Sequence, residues 1–307
     1  MKGIWTVIGT TFSDWYADRA QRLGAALAYY TVFAMAPSLV IVIGVAGLML
    51  GRESAQGQIL EQIRNLIGEQ GAQAVEATIR SAQDPKASAT AIGVGVLTLV
   101  FGLWGVFGEL QDALNTIWGV APKPGRGILG LLKDRLLSFA LVVGVGFVLL
   151  VSLALSAWLA MLGAYFGHLL PVPTAVLEVI NFTISFAVIT GLFALTFKLL
   201  PDVKVAWRDV WLGAAVTSLL FTAGKLLIGL YLGTSGVASV FGAAGSLVVI
   251  LVWVYYSAQI LYLGAEFTKV WTRWRGGGFA PDKKAVPVTA EARAQQGMGR
   301  KSRRRRA

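Results

Sequence analysis

The sequence predicts an all-α polytopic membrane protein with six transmembrane helices and both termini in the cytoplasm. Composition favours a membrane protein, because 56% of the 307 residues are hydrophobic and only 14% are charged, whereas soluble domains carry roughly 25% charged residues. The number of spans follows from the apolar runs, and their orientation follows from the Lys and Arg residues between them.

Six apolar runs are long enough to cross about 30 Å of hydrocarbon, which takes roughly 20 residues of helix. They cover about residues 24–50, 90–118, 136–167, 175–199, 209–231 and 240–268. Lys and Arg concentrate before the first span, after the second, after the fourth and in the tail, whereas the connections 168–174 and 232–239 have none. Because cytoplasmic connections hold the basic excess, both termini are expected inside.

Three regions of different character divide the chain. Residues 1–22 predict an interfacial amphipathic helix, anchored by Trp5, Trp15 and Tyr16. Residues 23–272 would form the transmembrane domain. Residues 273–307, which end in KSRRRRA, are expected to be a disordered basic cytoplasmic tail. This tail would attract anionic lipid of the inner leaflet, although a role in setting topology needs no specific lipid or RNA ligand.

The connection between the first two spans, residues 51–89, is long and is expected outside. Its apolar residues recur with a helical period, the GEQG stretch interrupts them, and Asp84-Pro85 ends them. We therefore expect two short amphipathic helices on the outer surface. They would form a packed lid or, alternatively, a surface that binds an envelope protein partner or gates a substrate.

Polar residues at the inner ends of the spans predict a cytoplasmic rim. Glu109 lies about 28 Å along the second span, which runs from outside to inside, so its carboxylate is expected at the inner mouth. The expected rim residues are Glu109, Asp112, Asn115, Arg22, Gln259 and Glu266. These groups would either pair structurally or form a charged gate through which a headgroup enters.

Lys225 is different, because it lies about 24 Å up the fifth span from Asp209, in the outer half of the hydrocarbon. The side chain could snorkel to the surface. Alternatively, it is the cation of an outward-facing polar pocket that accepts an anionic headgroup, since Pro37 interrupts the first span nearby and flexible backbone follows the fifth. The expected pocket residues are Lys225, Asn181, Pro37, Ser235, Ser239 and Ser246.

Four stretches carry a family resemblance: AALAYYTVFAMAPSL (25–39), LWGVFGELQDALNTIWGV (103–120), LLPDVKVAWRDVWLGA (199–214) and FGAAGSLVVILVWVYYSAQILYLGAEFTKV (241–270). Together they resemble the BrkB/YihY family of bacterial inner-membrane proteins, once catalogued as ribonuclease BN. The resemblance spans about residues 15–272 and implies a six-helix integral membrane protein. Envelope lipid handling is a recurring suggestion for this family.

Ribonuclease activity is not expected from the residues themselves. RNA cleavage usually uses histidines or a metal cluster, whereas the chain has no cysteine and a single histidine, His168, in an external connection. We therefore expect no enzyme activity, no metal or other cofactor and no specific nucleic-acid binding.

The favoured function is translocation of lipids or amphipathic anions across the bacterial inner membrane, or assistance to it. The chain has no Walker-type GxxxxGK[ST] stretch, so ATP hydrolysis would have to come from a partner. The main alternative is a structural or regulatory protein that docks envelope machinery through residues 51–89 or the tail. An ion-coupled solute transporter ranks lower, because it would want carboxylates at the midplane.

Overall fold

The computed structural model describes residues 2–82, 89–123, 174–234 and 245–298. These residues form mostly helices, with four very short strands. In chain order the elements are α1 (Lys2–Ala17), α2 (Ala20–Leu50), α3 (Arg52–Ala82), α4 (Ala89–Trp118), β1 (Val120–Pro122), α5 (Thr174–Leu199), β2 (Val203–Lys204), α6 (Trp207–Thr234), α7 (Gly245–Trp274), β3 (Ala280–Pro281), β4 (Ala285–Pro287) and α8 (Ala290–Gln295).

Three helices of the described part are long and apolar enough to cross a membrane. The segments are Phe182–Leu199 in α5, Trp207–Leu232 in α6 and Leu247–Trp274 in α7. α2 and α4 also place continuous helix over the predicted spans 24–50 and 90–118. The predicted span 136–167 lies outside the described residues.

Two antiparallel strand pairs connect distant parts of the chain at one end of the helices. β1 follows α4 and pairs with β4, while β2, in the turn between α5 and α6, pairs with β3. Gly119 makes the first connection possible, because its φ of 72° lies in the left-handed region, where α4 turns into β1. We call this end the strand end, and the opposite end, which α3 covers, the α3 end.

Each end has its own apolar core. The strand-end core is built around the fully buried side chains of Trp118, Phe197 and Tyr262. The core at the α3 end joins Ile59, Val75 and Ile79 of α3 to residues of α2, α6 and α7, Trp253 among them. α3 is therefore an integral part of the fold.

α6 and α7 cross through a reciprocal contact of glycine with threonine. A Cβ on Gly213 would lie 1.8 Å from Oγ1 of Thr268, and a Cβ on Gly264 would lie 1.9 Å from Oγ1 of Thr217. Each threonine hydroxyl donates a hydrogen bond of 2.7 Å to the carbonyl of the glycine four residues earlier on its own helix. Small residues allow such a close approach of two helices.

Two of the sequence-based expectations about helix continuity are wrong. α3 runs unbroken through the GEQG stretch, where we expected two short helices. Burial of Ala72, Ala74 and Val75 on one side and Ile59 on the other outweighs the roughly 1 kcal/mol that each glycine costs a helix. α2 likewise continues through Pro37, although proline still removes the N–H that the Phe33 carbonyl would accept.

The expectation of a disordered tail from residue 273 is also wrong. α7 extends to Trp274, and residues 280–295 form β3, β4 and α8. The strand pairs and the burial of Ala285 supply the long-range contacts that composition does not reveal. We call residues 280–298 the C-terminal arm; residues 299–307 lie outside the described part of the chain.

Candidate functional site

A buried ammonium group, Nζ of Lys269, lies at the centre of the strand end. It is fully buried near the end of α7 and donates a hydrogen bond of 2.9 Å to the backbone carbonyl of Ile117 in α4. Its three carboxylate partners are Glu266, one turn earlier on α7, Asp14 at 3.3 Å and Asp18 at 3.6 Å. One cation thus joins α1, α4 and α7.

The C-terminal arm adds a second cation to this cluster. Arg293 of α8 contacts the buried carboxylate of Asp18. The β1–β4 pairing brings α8 to this position, and the Thr289 hydroxyl caps α8 by accepting a hydrogen bond of 3.2 Å from the N–H of Ala292. We call Asp14, Asp18, Glu266, Lys269 and Arg293 the buried charge cluster.

The stability of the fold depends strongly on the buried charge cluster remaining intact. Removing one partner of a buried ion pair costs about 3–5 kcal/mol, because the remaining charge stays buried without compensation. The cluster holds one more carboxylate than cation, so the loss of either cation leaves excess negative charge inside the protein. We therefore assign this part of the rim to holding the fold together.

A second polar link fixes the turn between α5 and α6. The side chain of Asn115 donates to Asp202 at 3.0 Å, and its carbonyl oxygen accepts from the Asp202 backbone N–H at 2.8 Å. Gln111, one turn earlier on α4, approaches the same carboxylate at 3.4 Å. Asn115 is buried, so this expected rim residue is engaged in a structural contact.

The remaining rim residues divide into two places. Glu109 is half-buried, and the charges that act on it are Asp112 and Arg22. Gln259 of α7 lies against Gly24 of α2 and donates to the Ala20 carbonyl at 3.4 Å. Glu266 belongs instead to the buried charge cluster. Asp112 and Arg22 thus lie near enough to Glu109 for their charges to act on its carboxyl group.

The sequence predicted no role for Asp14, Asp18, Lys269, Arg293 or Asp202. A local signal existed for part of the cluster, because Glu266 and Lys269 are three residues apart on one helix and Asp14 and Asp18 are four apart. Arg293 had none, since 275 residues separate it from Asp18.

Lys225, the expected cation of the outer pocket, is half-buried on α6. Phe221, one turn before it on the same face, inserts its ring between Phe193 of α5, at 5.7 Å, and Trp253 of α7, at 5.8 Å between ring centroids. An aromatic layer therefore lies between Lys225 and the strand end. Ser235 and Ser239 lie outside the described residues, as do the side chains of Asn181, Pro37 and Ser246.

The described part of the chain brings no three His, Cys, Asp or Glu side chains together in an arrangement that could hold a metal ion. In the buried charge cluster, the Lys269 ammonium lies among the carboxylates of Glu266, Asp14 and Asp18.

Comparisons with known proteins agree with this architecture. The sequence model of the family described as Virulence factor BrkB matches residues 11–289. No solved structure matches the chain.

Three relatives illustrate the similarity, each described as a UPF0761 membrane protein. The relative from Azotobacter vinelandii is 30% identical over 272 residues, covering 86% of this chain and 63% of its own length. One from Pseudomonas aeruginosa (strain LESB58) is 28% identical over 252 residues, covering 81% of this chain. One from Tolumonas auensis is 26% identical over 268 residues, covering 84% and 82% of the two chains.

The chain spans 58% of the length of the first of the Pseudomonas relatives. The family match covers most of the chain and includes four of the five residues of the buried charge cluster, all but Arg293. It agrees with the apolar helices α5, α6 and α7. The chain therefore belongs to the BrkB family and is an integral membrane protein.

Proposed function

We propose that this protein is a multi-pass protein of the bacterial inner membrane that translocates lipids or amphipathic anions, or assists their transport. The observation that carries the proposal is the position of Lys225 inside the candidate span Trp207–Leu232. In the three described spans, every other charged residue lies within nine residues of the strand end.

A lysine at this depth carries a free-energy cost, because its charge loses hydration inside the membrane, and this cost suggests a function. Lys225 lies seven residues before Leu232, roughly 10 Å from the end of the span. Its exposed neighbours Leu226, Leu227 and Leu230 are apolar, as expected for a surface in contact with acyl chains. Charged residues inside membrane spans usually mark a path for ions or substrates, and an ammonium group suits a phosphate or carboxylate.

The orientation places the strand end in the cytoplasm. Lys and Arg concentrate in the connections at that end, as the positive-inside rule requires. α1 would then lie along the inner membrane surface, because it exposes a stripe of large apolar and aromatic side chains, Ile4, Trp5, Ile8, Phe12 and Tyr16. Glu109 and Arg22 would be the charged pair that a headgroup meets on the cytoplasmic side.

A second candidate function is docking of envelope machinery, and the outer face of α3 favours it. This face carries ion pairs between exposed residues, Arg64 with Glu61 and Glu69, and Arg80 with Glu76. Such pairs contribute little to stability, so a charged face of this kind is available to a protein partner in the periplasm. Under this proposal Lys225 would be dispensable.

Lipid movement in proteoliposomes tests the first candidate directly. Purified protein is reconstituted with labelled phospholipid, and the rate is compared with that of Lys225→Ala, Lys204→Ala and an unrelated six-helix protein. Lys204 is the matched control, because it is an exposed lysine of β2 whose contact with Asp282, at 3.8 Å, is solvent-exposed. We expect transport that Lys225→Ala abolishes and Lys204→Ala retains.

Two outcomes would contradict the proposal. Transport no faster than that of the unrelated protein would favour the docking function, which deletion within α3 would then test. Equal transport by wild type and a folded Lys225→Ala variant would remove Lys225 from the path.

A further inference from the structure

The contact line between α5 and α6, which we call the α5–α6 seam, carries a lysine near each end. Lys198 lies at the strand end of α5, and Lys225 lies toward the α3 end of α6. Between them, Phe193 of α5 contacts Phe221 of α6. The seam thus presents a cation, an apolar stretch and a second cation in order.

At the strand end, Lys198 lies in an aromatic and basic corner. Its ammonium donates to the Val205 carbonyl and lies 5.6 Å from the ring centroid of Trp207. Trp207 and Trp211 lie 6.4 Å apart, and about half of each side chain is exposed. Among the described residues no carboxylate pairs with Lys198, since the nearby Asp202 is bound by Asn115. Such a corner suits a lipid phosphate beside its glycerol region.

The helical phase aligns this corner with Lys225. Lys225 follows Trp207 by eighteen residues, which is five turns of 3.6 residues, so both side chains leave α6 in the same direction. The distance along the helix is about 27 Å, close to the roughly 30 Å of a bilayer's hydrocarbon. Lys198, beside Trp207, and Lys225 therefore lie on one line, the first at the strand end and the second about 10 Å inside the other end of the span.

The region between the cations suits acyl chains better than a soluble ion. Phe193 stacks on Phe197 along α5, and α6 exposes Leu219 and Leu226 about a third of a turn around the helix from Lys225. A soluble anion would lose its hydration along this stretch. A phospholipid would keep its chains in the bilayer while its headgroup follows the seam.

We infer that the α5–α6 seam is the path of an anionic phospholipid, with Lys198 and Trp207 as its cytoplasmic headgroup site and Lys225 as its outer one. This inference rests on the proposed function, and it adds the substrate class, the path and a second binding site. Movement along the seam requires α5 and α6 to part at Phe193 and Phe221, whereas α6 and α7 stay joined through their glycine–threonine contact.

Reversible cross-linking tests the path, because the chain has no cysteine of its own. Phe193→Cys with Phe221→Cys joins α5 to α6 on oxidation. Phe221→Cys with Trp253→Cys, whose rings lie at nearly the same distance, joins α6 to α7 at the same depth and serves as the matched control. Each pair is compared with its own reduced form, so that any effect of the substitutions themselves cancels.

We expect oxidation to slow lipid movement at least about tenfold, the factor for a 1.4 kcal/mol barrier, in the α5–α6 pair only. Reduction should restore the rate. Unchanged transport after complete cross-linking of that pair would overturn the seam, as would failure of the pair to cross-link, since that would contradict the Phe193–Phe221 contact. Equal inhibition of both pairs would also overturn it.

A second measurement tests the cytoplasmic headgroup site through lipid binding, independently of transport. Quenching of tryptophan fluorescence by brominated anionic lipid is compared with quenching by brominated zwitterionic lipid, in wild type, Lys198→Met and Lys204→Met. We expect a preference for the anionic lipid that Lys198→Met removes and Lys204→Met keeps. No preference in wild type would overturn this site even if lipid transport itself is observed, and absent transport with preserved preference would overturn the proposed function.

Discussion

The two ends of this membrane protein differ in the surroundings that they give to a lysine side chain. At the strand end, Lys269 is surrounded by three carboxylates and a backbone carbonyl, and the C-terminal arm adds Arg293. Toward the α3 end, Lys225 lies half-buried among leucines, beyond a layer of aromatic rings. A lysine held by three carboxylates stabilises the fold, whereas a half-buried lysine with exposed leucines beside it can be reached by a ligand from the membrane.

The apolar cores of the strand end and the α3 end also differ. The strand-end core is crossed by polar links, such as Asn115 with Asp202, that join segments far apart in the sequence. The core at the α3 end consists of Ile, Val, Leu, Ala and Trp side chains under α3. The strand end is therefore expected to be the rigid part and the α3 end the part that rearranges.

The most direct test of this contrast is to replace the lysine by methionine at each end. We expect Lys269→Met to destabilise by about 3–5 kcal/mol, because three carboxylates lose their shared cation. The measurement is the thermal midpoint and the yield of monodisperse protein in detergent. Adding Glu266→Gln should recover part of the loss, and a folded Lys269→Met variant with an unchanged midpoint would contradict the structural role of the cluster.

The α6–α7 crossing offers the next largest effect. Gly213→Ala should cost about 1–3 kcal/mol, because its Cβ would overlap Oγ1 of Thr268. Gly229→Ala on the same helix is the control, since nothing lies within 4 Å of its Cβ; we expect a change of zero or a small gain. Thr268→Gly should rescue Gly213→Ala, and a destabilisation that persists in the double variant would show that the cost arises elsewhere.

The C-terminal arm is expected to be held less firmly than the cluster it completes. Arg293→Gln should cost roughly 1–3 kcal/mol locally, since Asp18 keeps Lys269 as a partner. Hydrogen exchange should then accelerate in residues 280–298 and stay unchanged in α6. Faster exchange throughout the protein would show instead that the arm is required by the whole fold.

At the α3 end the same Lys-to-Met change should leave stability nearly unaltered. Lys225 is half-buried and lies outside the buried charge cluster, so we expect Lys225→Met to change stability far less than Lys269→Met does, within about 1 kcal/mol. Lys204→Met is again the exposed control. A large destabilisation would place Lys225 among the structural cations and remove the contrast between the two ends.

The smallest expected effect is the pH dependence of α8. The Glu291 backbone N–H and the Thr289 hydroxyl hold the pKa of Glu291 below its ordinary value of 4.5. Because the folded pKa is the lower one, this stabilisation is present above that value and is lost as pH falls through the folded pKa. Hydrogen exchange of residues 290–298 should show this loss in wild type and not in Glu291→Gln.

Several features of the fold and of the candidate site could be predicted from the sequence. The apolar runs predicted the helices α2, α4, α5, α6 and α7, because a helix in a membrane satisfies its own backbone and so depends on local composition. The depth of Lys225 followed from its distance to the start of its span. The family was also recognised correctly from the residues of four stretches.

The strand end could not be predicted in the same way. Asn115 and Asp202 are 87 residues apart, and nothing local to either indicates the other. The order of the C-terminal arm depends on β1 and β2, which are two and three residues long and have no recognisable strand pattern. Composition alone therefore indicated disorder where long-range pairing produces structure.

The contact between Asp18 and Arg293 has a consequence for how the protein is made. Synthesis at about 5–20 residues per second needs roughly 15–55 s to cover the 275 residues between them. Throughout that time the nascent chain carries the Asp18 carboxylate without Arg293, and for most of it without Lys269 as well. A chain that stops before residue 293 lacks the second cation of the buried charge cluster, so three carboxylates share Lys269 alone.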